Sequence, residues 1–207
     1  AAKRDYDKRA AEKTPEIIRL AKQFGKDFFD GDRKCGYGGY NYDGRWKAVV
    51  ERMRLHYNLP DTAAVLDIGC GKGFMVHDFK EVMPHCSVAG VDVSEYAIEN
   101  AMPSVKPFLK VASAEKLPYP DNSFDLVIAV NSIHNLPLES CKTALREIER
   151  VSKANSFINV DAWRNEEERE NLMKWVLTAE TYMHVDDWKK LFAEVGYTGD
   201  YSCIYFQ

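Results

Sequence analysis

From residue 61 onward, short continuous apolar runs alternate with stretches whose apolar positions recur every third or fourth residue. The runs at Val65-Leu66 with Ile68, Ser87–Asp92, Phe108–Ala112, Ser123–Val130 and Ser156–Val160 predict five strands, and Tyr197–Phe206 predicts a last one. Between them, Phe74, Phe79, Val82 and Met83 fall on one helix face, as do Leu138, Cys141, Leu145 and Ile148. Ser94 reads as the N-cap of a helix carrying Tyr96, Ala97 and Ala101. Glu166 to Glu170 suits a solvated first helical turn. Val185, Trp188, Leu191, Phe192 and Val195 stripe a final helix that Gly196 stops. Strands buried on both faces and separated by helices predict an α/β doubly wound, mostly parallel sheet with helices on both faces.

The pattern before residue 61 differs. Thr14-Pro15-Glu16 is a helix start, and Ile17, Leu20, Ala21, Phe24 and Phe28 continue at helical spacing until Asp30-Gly31-Asp32. Residues 5 to 30 therefore read as a helical N-terminal cap, whose apolar face either packs on the body or closes over a ligand. Between Cys35 and Trp46, glycines interleave with tyrosines, as in a mobile loop that sets aromatic and polar groups over a pocket. The reading makes Tyr37, Tyr42 and Arg45 a lid, with Arg45 pairing a carboxylate on cofactor or substrate; the other reading is a surface turn. Trp46, Val49, Val50, Met53 and Tyr57 form the next helical stripe. The expected division is a cap and lid over residues 1–44 and a ligand-binding domain over 45–207.

Composition narrows the partners. A chain of 207 residues that is 45% hydrophobic can bury a full core. A formal net charge of −4 gives no broad attraction to nucleic acid or anionic lipid, so neither nucleic acid nor membrane is an expected partner. The N-terminus is charged rather than signal-like, and no apolar run is long enough to span a bilayer. Cys35, Cys70, Cys86, Cys141 and Cys203 are scattered, without metal-ligand spacing, which suits reduced thiols in a cytoplasm and no bound metal. The oligomeric state is not legible here.

The chemistry concentrates after the first predicted strand, at Asp67-Ile68-Gly69-Cys70-Gly71-Lys72-Gly73-Phe74. Three close glycines let the backbone turn sharply and let a ligand lie against main chain, with the next helix's free N–H groups facing it. A dinucleotide fingerprint needs a glycine where Phe74 stands. Asp67 ahead of the turn suits a ligand with a positive amino group rather than a pyrophosphate. Asp92, about 20 residues on, is placed to accept two ribose hydroxyls. The blander alternative is a glycine-rich turn with no ligand.

Asp67-x-Gly69-x-Gly71-x-Gly73 followed by Asp92 resembles the class I S-adenosyl-L-methionine (SAM) dependent methyltransferases, nearest their type 11 branch, over roughly residues 45 to 197. The resemblance implies a Rossmann-like fold and SAM as cofactor, with S-adenosyl-L-homocysteine (SAH) as product. It implies a cofactor site of Asp67, Gly69, Gly71, Gly73, Asp92, Val93, Ser113, Ala114 and Asn131, with adenine against Val93 and Ala114. Ser113 stands where the family carries an acid, and Lys153-Ala154-Asn155 replaces its Pro-Gly-Gly turn. One terminal strand stands where the family has a pair.

A sulfonium methyl is already activated, so transfer asks mainly for placement. His134, leaving the fourth strand, is the expected base, or else a structural histidine. Tyr37, Tyr42, Arg45, His134, Asp161 and Trp163 are the expected acceptor residues. Tyr182 and His184 either edge that pocket or pack. The expected activity is methyl transfer to a small polar acceptor through nitrogen, oxygen or carboxylate. Two alternatives are another SAM-using reaction on this scaffold, such as aminopropyl transfer or a decarboxylation, and a non-catalytic SAM-binding module.

Overall fold

The computed structural model describes residues 4–207; the first three residues of the expected cap lie outside it. Strands β1 (Ala64–Ile68), β2 (Ser87–Asp92), β3 (Leu109–Val111), β4 (Phe124–Val130) and β5 (Ser152–Trp163) form a parallel sheet in the order β3-β2-β1-β4-β5. Two further strands, β6 (Met183–His184) and β7 (Asp200–Ile204), both pair parallel to β5. The chain leaves β1 toward β2 on one side and returns to β4 on the other, so strand order reverses between β1 and β4. A crevice opens at the carboxyl ends of such a pair.

Alternation along the central strands divides the core in two. Leu66, Val127 and Ala129 face helices α7 (Leu138–Val151) and α9 (Val185–Val195), meeting Leu145, Ile148 and Trp188. Val65, Leu126 and Ile128 point the other way, onto α4 (Lys47–His56) and α5 (Phe74–Val82), through Val50, Met53, Met75 and Phe79. Both faces are covered, which is why these strands read as unbroken apolar runs. α6 (Glu95–Glu99) links β2 to β3, with Ser94 Oγ accepting the Ala97 N–H as expected of its cap. Among the described residues no helix is long and apolar enough to cross a membrane.

Three departures from the sequence reading bear on the site. The expected helix from Thr14 breaks in two, α2 (Pro15–Ala21) and α3 (Lys26–Phe29), after α1 (Tyr6–Glu12). At the break, Phe24 takes a left-handed φ of 48°, costly for a bulky side chain. The fifth strand begins at Ser152 rather than Ser156 and runs on to Trp163. The last strand is shorter than Tyr197–Phe206. After β5, α8 (Glu166–Trp175) turns back toward α1, and the two pack together.

Candidate functional site

Two adjoining hollows open at the carboxyl edge of the sheet and share Phe28, Tyr37, Asn131 and Asn135. The first is floored by Gly69, Gly71, Asp92, Val93, Ala112 and Ala114 and roofed by Phe24, Phe28, Phe29, Tyr37 and Tyr40 from the cap. Among the described residues its wall contains no lysine or arginine.

The floor is built by close approach. Gly69 (φ 75°) follows β1, and a Cβ there would meet the Ser132 Cβ at 2.3 Å, so only glycine fits against the β4 exit. Ser132 Oγ donates to the Ile68 carbonyl at 2.9 Å, closing the seam between β1 and β4. Gly71 (φ 54°) lies under the Tyr40 ring, 3.2 Å from where a Cβ would stand. Gly73 does something other than expected. Its missing Cβ faces Leu109 and Val105 at 2.8 and 2.9 Å, so this glycine seats α5 against the β3 side of the sheet and is not in the hollow's wall.

The acids differ in how they are satisfied. Asp92 accepts the Gly71 N–H through Oδ2 and the Ser94 N–H through Oδ1, each at 2.8 Å, so it clamps the glycine loop while lining the hollow. Burial nonetheless pushes its pKa up, against donors from Ser94, Gly71 and Val93. Asp67 is 5% exposed and lies beneath the loop, outside the wall proper. Burial first and the nearby Asp92 charge second push its carboxyl up to about 7, and no donor among the described residues reaches it.

Ser113 does not line the hollow; its Oγ accepts the Glu115 N–H at 3.1 Å and its carbonyl the Lys116 N–H, so it opens a local turn over residues 113–116. Asn131 does line it, at a left-handed φ of 53°. Two left-handed residues other than glycine, Phe24 and Asn131, thus border one cavity, where strain concentrates at sites of function.

Of the expected lid residues, only Tyr37 reaches both hollows. Tyr42 turns outward, its hydroxyl donating to Asp78 Oδ1 at 2.6 Å and its ring edge-on to Phe74 and His77. Arg45 forks onto Asp43, two residues away, and is turned to solvent rather than to a ligand. The lid role expected of these two is corrected accordingly: a nearer carboxylate claims each side chain. The roof comes instead from Tyr40 and the phenylalanines of the cap. A staple that the sequence did not announce holds that roof down. Lys72 Nζ lies 2.7 and 2.6 Å from the two Asp30 oxygens and 3.1 Å from the Tyr40 carbonyl, and Asp30 also accepts the Tyr96 hydroxyl at 2.7 Å.

The second hollow holds His134 and Asp161 together with Arg4, Arg9 and Arg33. His134 Nε2 lies 3.5 Å from Asp161 Oδ2, and the Asp161 N–H donates to Nδ1 at 3.4 Å. The Asn159 carbonyl also faces the ring, so three groups, the Asp161 N–H, its carboxylate and this carbonyl, surround the imidazole. Both ring nitrogens are engaged, and burial pushes the imidazole pKa down against the Asp161 charge. His134 thus lines the second hollow with Asp161 beside it, its Nε2 3.5 Å from Oδ2. Burial pushes the Asp161 carboxyl up, with His134 and Arg4 opposing. Trp163 lies beyond the wall, its ring tilted toward Tyr182 at 6.3 Å, and His184 caps α9 through the Asp186 N–H. Among the described residues no group of three or more acidic, histidine or cysteine side chains is placed to hold a metal.

Residues 66–160 match the family model described as "Methyltransferase domain". The chain is 32% identical over 146 residues to the tRNA (carboxymethyluridine(34)-5-O)-methyltransferase of Arabidopsis thaliana, a match over 70% of this chain and 34% of that protein. It is 29% identical over 147 residues to the malonyl-[acyl-carrier protein] O-methyltransferase of Legionella pneumophila, covering 68% of this chain and 51% of that one. This chain thus spans a third to a half of the length of these two relatives. Among solved structures, the YcgJ protein of Bacillus subtilis superposes with a TM-score of 0.58 at 21% identity, over 72% of this chain and 67% of that one, a likeness of fold.

Proposed function

We propose, from the premise that this chain belongs to the class I S-adenosylmethionine-dependent methyltransferases, that it moves a methyl group from SAM in the first hollow to a small polar acceptor in the second. The observation that carries this reading is Asp67: a buried carboxyl beside a glycine loop that, among the described residues, has neither a donor nor a cation in the adjoining wall. Such a group is costly until a cation meets it, and the amino group of SAM is one. The remaining surfaces fit the same ligand. Asp92 has carboxylate lone pairs left for ribose hydroxyls, and Val93, Ala112 and Ala114 offer an apolar floor for a purine.

When bound, SAM supplies an electron-poor methyl carbon, to which an acceptor lone pair bonds as the carbon–sulfur pair stays on sulfur. The protein's part is to hold, enclose and, for some acceptors, take a proton. Phe28, Tyr37, Asn131 and Asn135, common to both hollows, form the passage across which donor and acceptor meet. Holding two reactants in line can supply roughly 7–11 kcal/mol at the extreme. A carboxylate acceptor needs no base. A hydroxyl acceptor gives up its proton, and Asp161, more basic than an ordinary carboxylate and beside His134, is the group that receives it.

The acceptor class is tested by incubating the protein and SAM with small carboxylic and hydroxy acids and, separately, with transfer RNA. SAH release and a one-methyl mass gain would be read together. SAH binding by calorimetry with methylation of a small molecule is the expected result. Methylated RNA would replace the small-acceptor reading, as the name of the Arabidopsis relative makes worth checking. No association with either SAM or SAH would end the proposal at its premise.

A further inference from the structure

Six arginines, Arg19, Arg45, Arg54, Arg150, Arg164 and Arg169, each meet a carboxylate within 4.0 Å, and Arg52 and Arg146, which meet none among the described residues, lie outside the walls of both hollows. Arg4, Arg9 and Arg33, which line the second hollow, meet none among the described residues. Their guanidinium groups are held by main-chain carbonyls and aromatic faces instead. Arg9 donates through Nε to the Trp175 carbonyl at 3.2 Å and through Nη1 to that of Lys34 at 2.9 Å. Arg4 donates to the Tyr205 carbonyl at 3.3 Å and lies over the Phe206 ring at 4.7 Å. Arg33 donates to the Gly36 carbonyl.

These contacts fix direction without neutralising charge. Carbonyls orient a guanidinium but leave its formal charge standing, and each of the three keeps further N–H donors. Among the described residues the hollow's one acidic wall residue is Asp161, beside His134. Burial first and the nearby Arg33 charge second weigh against protonated Arg9, with Glu12 and Cys35 opposing, so like charges stand close in this cluster. Three oriented cations against one acid, in a chain whose net charge is −4, make a local field opposite in sign to the whole.

We propose that the second hollow binds an acceptor carrying an oxyanion, a carboxylate or a phosphate group, gripped by Arg4, Arg9 and Arg33. The identity of the hollow as the acceptor site rests on the methyltransferase reading; the anion site itself does not. Arginine's planar fork matches both oxyanions, and Trp175 and Phe206 wall the apolar part of such a molecule.

The test is thermal unfolding of the full chain saturated with SAH, titrated with sodium malonate, sodium phosphate or sodium chloride at equal ionic strength. Malonate or phosphate should raise the midpoint where chloride does not, and the anion that does so names the group. In Arg33→Met and Arg4→Met, apparent anion affinity should fall about tenfold to a hundredfold, as for one charge-assisted hydrogen bond, while SAH affinity holds. Using two variants guards against one that fails to fold. Equal responses to all three salts, or undiminished malonate and phosphate effects in both variants, would overturn the anion site. Failure to bind SAH would instead strike the methyltransferase reading, and the anion titration of the free protein would still be readable.

Discussion

At the end of β1, the Asp67 carboxyl is enclosed, lies near a second acid in Asp92 and receives no hydrogen bond from the described residues. Its folded pKa, about 7, stands above the ordinary value of 3.8, so the folded state holds this proton more tightly than the unfolded chain does. Its stabilising contribution is complete below the unfolded value and drains away as pH rises from there through about 7. The free protein should accordingly lose stability across that window, and Asp67→Asn should flatten the slope measured by urea unfolding at several pH values. At pH 8 the variant, which has no carboxylate charge to bury, should be the more stable of the two, yet bind SAH more weakly. Wild-type binding near pH 7 should also release protons, because an ammonium beside Asp67 favours the ionised form; calorimetry in buffers of different ionisation heat reads that release. An equal SAH affinity in the variant would remove Asp67 from the site. The chemistry of this residue was legible in sequence because the strand, the acid and the glycines are contiguous. His134 was legible only as a candidate. Its engagement on both nitrogens depends on Asp161, which another strand brings to it.

Helical periodicity reads Thr14 to Phe28 as one helix, and it is right about the stripe but not about the direction. Local propensity has no means of foretelling the left-handed turn at Phe24, which the fold stabilises from elsewhere: Ser94, at the start of α6, donates its hydroxyl to the Phe24 carbonyl. The turn swings Phe24, Phe28 and Phe29 away from a shared helix face and over the first hollow. What keeps them there is the Lys72–Asp30 pair, between the glycine loop and the end of α3. Burial works against the Asp30 carboxylate, but Lys72, Tyr96 and the Tyr40 N–H outweigh it and hold its pKa below the ordinary range. With Lys72 only 10% exposed, solvent cannot replace the lost partner cheaply. Lys72→Met should therefore destabilise the docked cap by about 2–4 kcal/mol, less than the 3–5 of a fully buried pair. Limited proteolysis should cut the variant between residues 22 and 40 before the sheet yields. It should bind SAH more weakly, although Lys72 is not in the hollow's wall. A cap as resistant as the wild type's would show the staple to be dispensable.

On the scale of the whole molecule, the parallel sheet and its two buried faces could be read from contiguous runs, since the central strands each carry an apolar signature; the two-residue β6 carries none and was not expected. The arginine-lined hollow could not. Arg9 meets the Trp175 carbonyl across 166 residues of chain, and no local pattern links α1 to the end of α8. The same long-range contacts tie the fate of the cap to that of the ligand sites, because its Phe28 and Tyr37 wall both hollows while its arginines wall one. A ligand that binds only the closed arrangement adds its binding free energy to the docking of the cap. At a hundred times its dissociation constant, SAH should stabilise the protein by about 2.7 kcal/mol. For a domain of this size that is a midpoint rise of roughly 5–11 °C. The rise should come with slower cleavage of the cap and stronger amide protection in α3, while the central strands β1 and β4, already enclosed on both faces, change little. If the midpoint rose with no change in cap cleavage or α3 protection, ligand binding and cap closure would be separate events, and the roof over the first hollow would be packing alone.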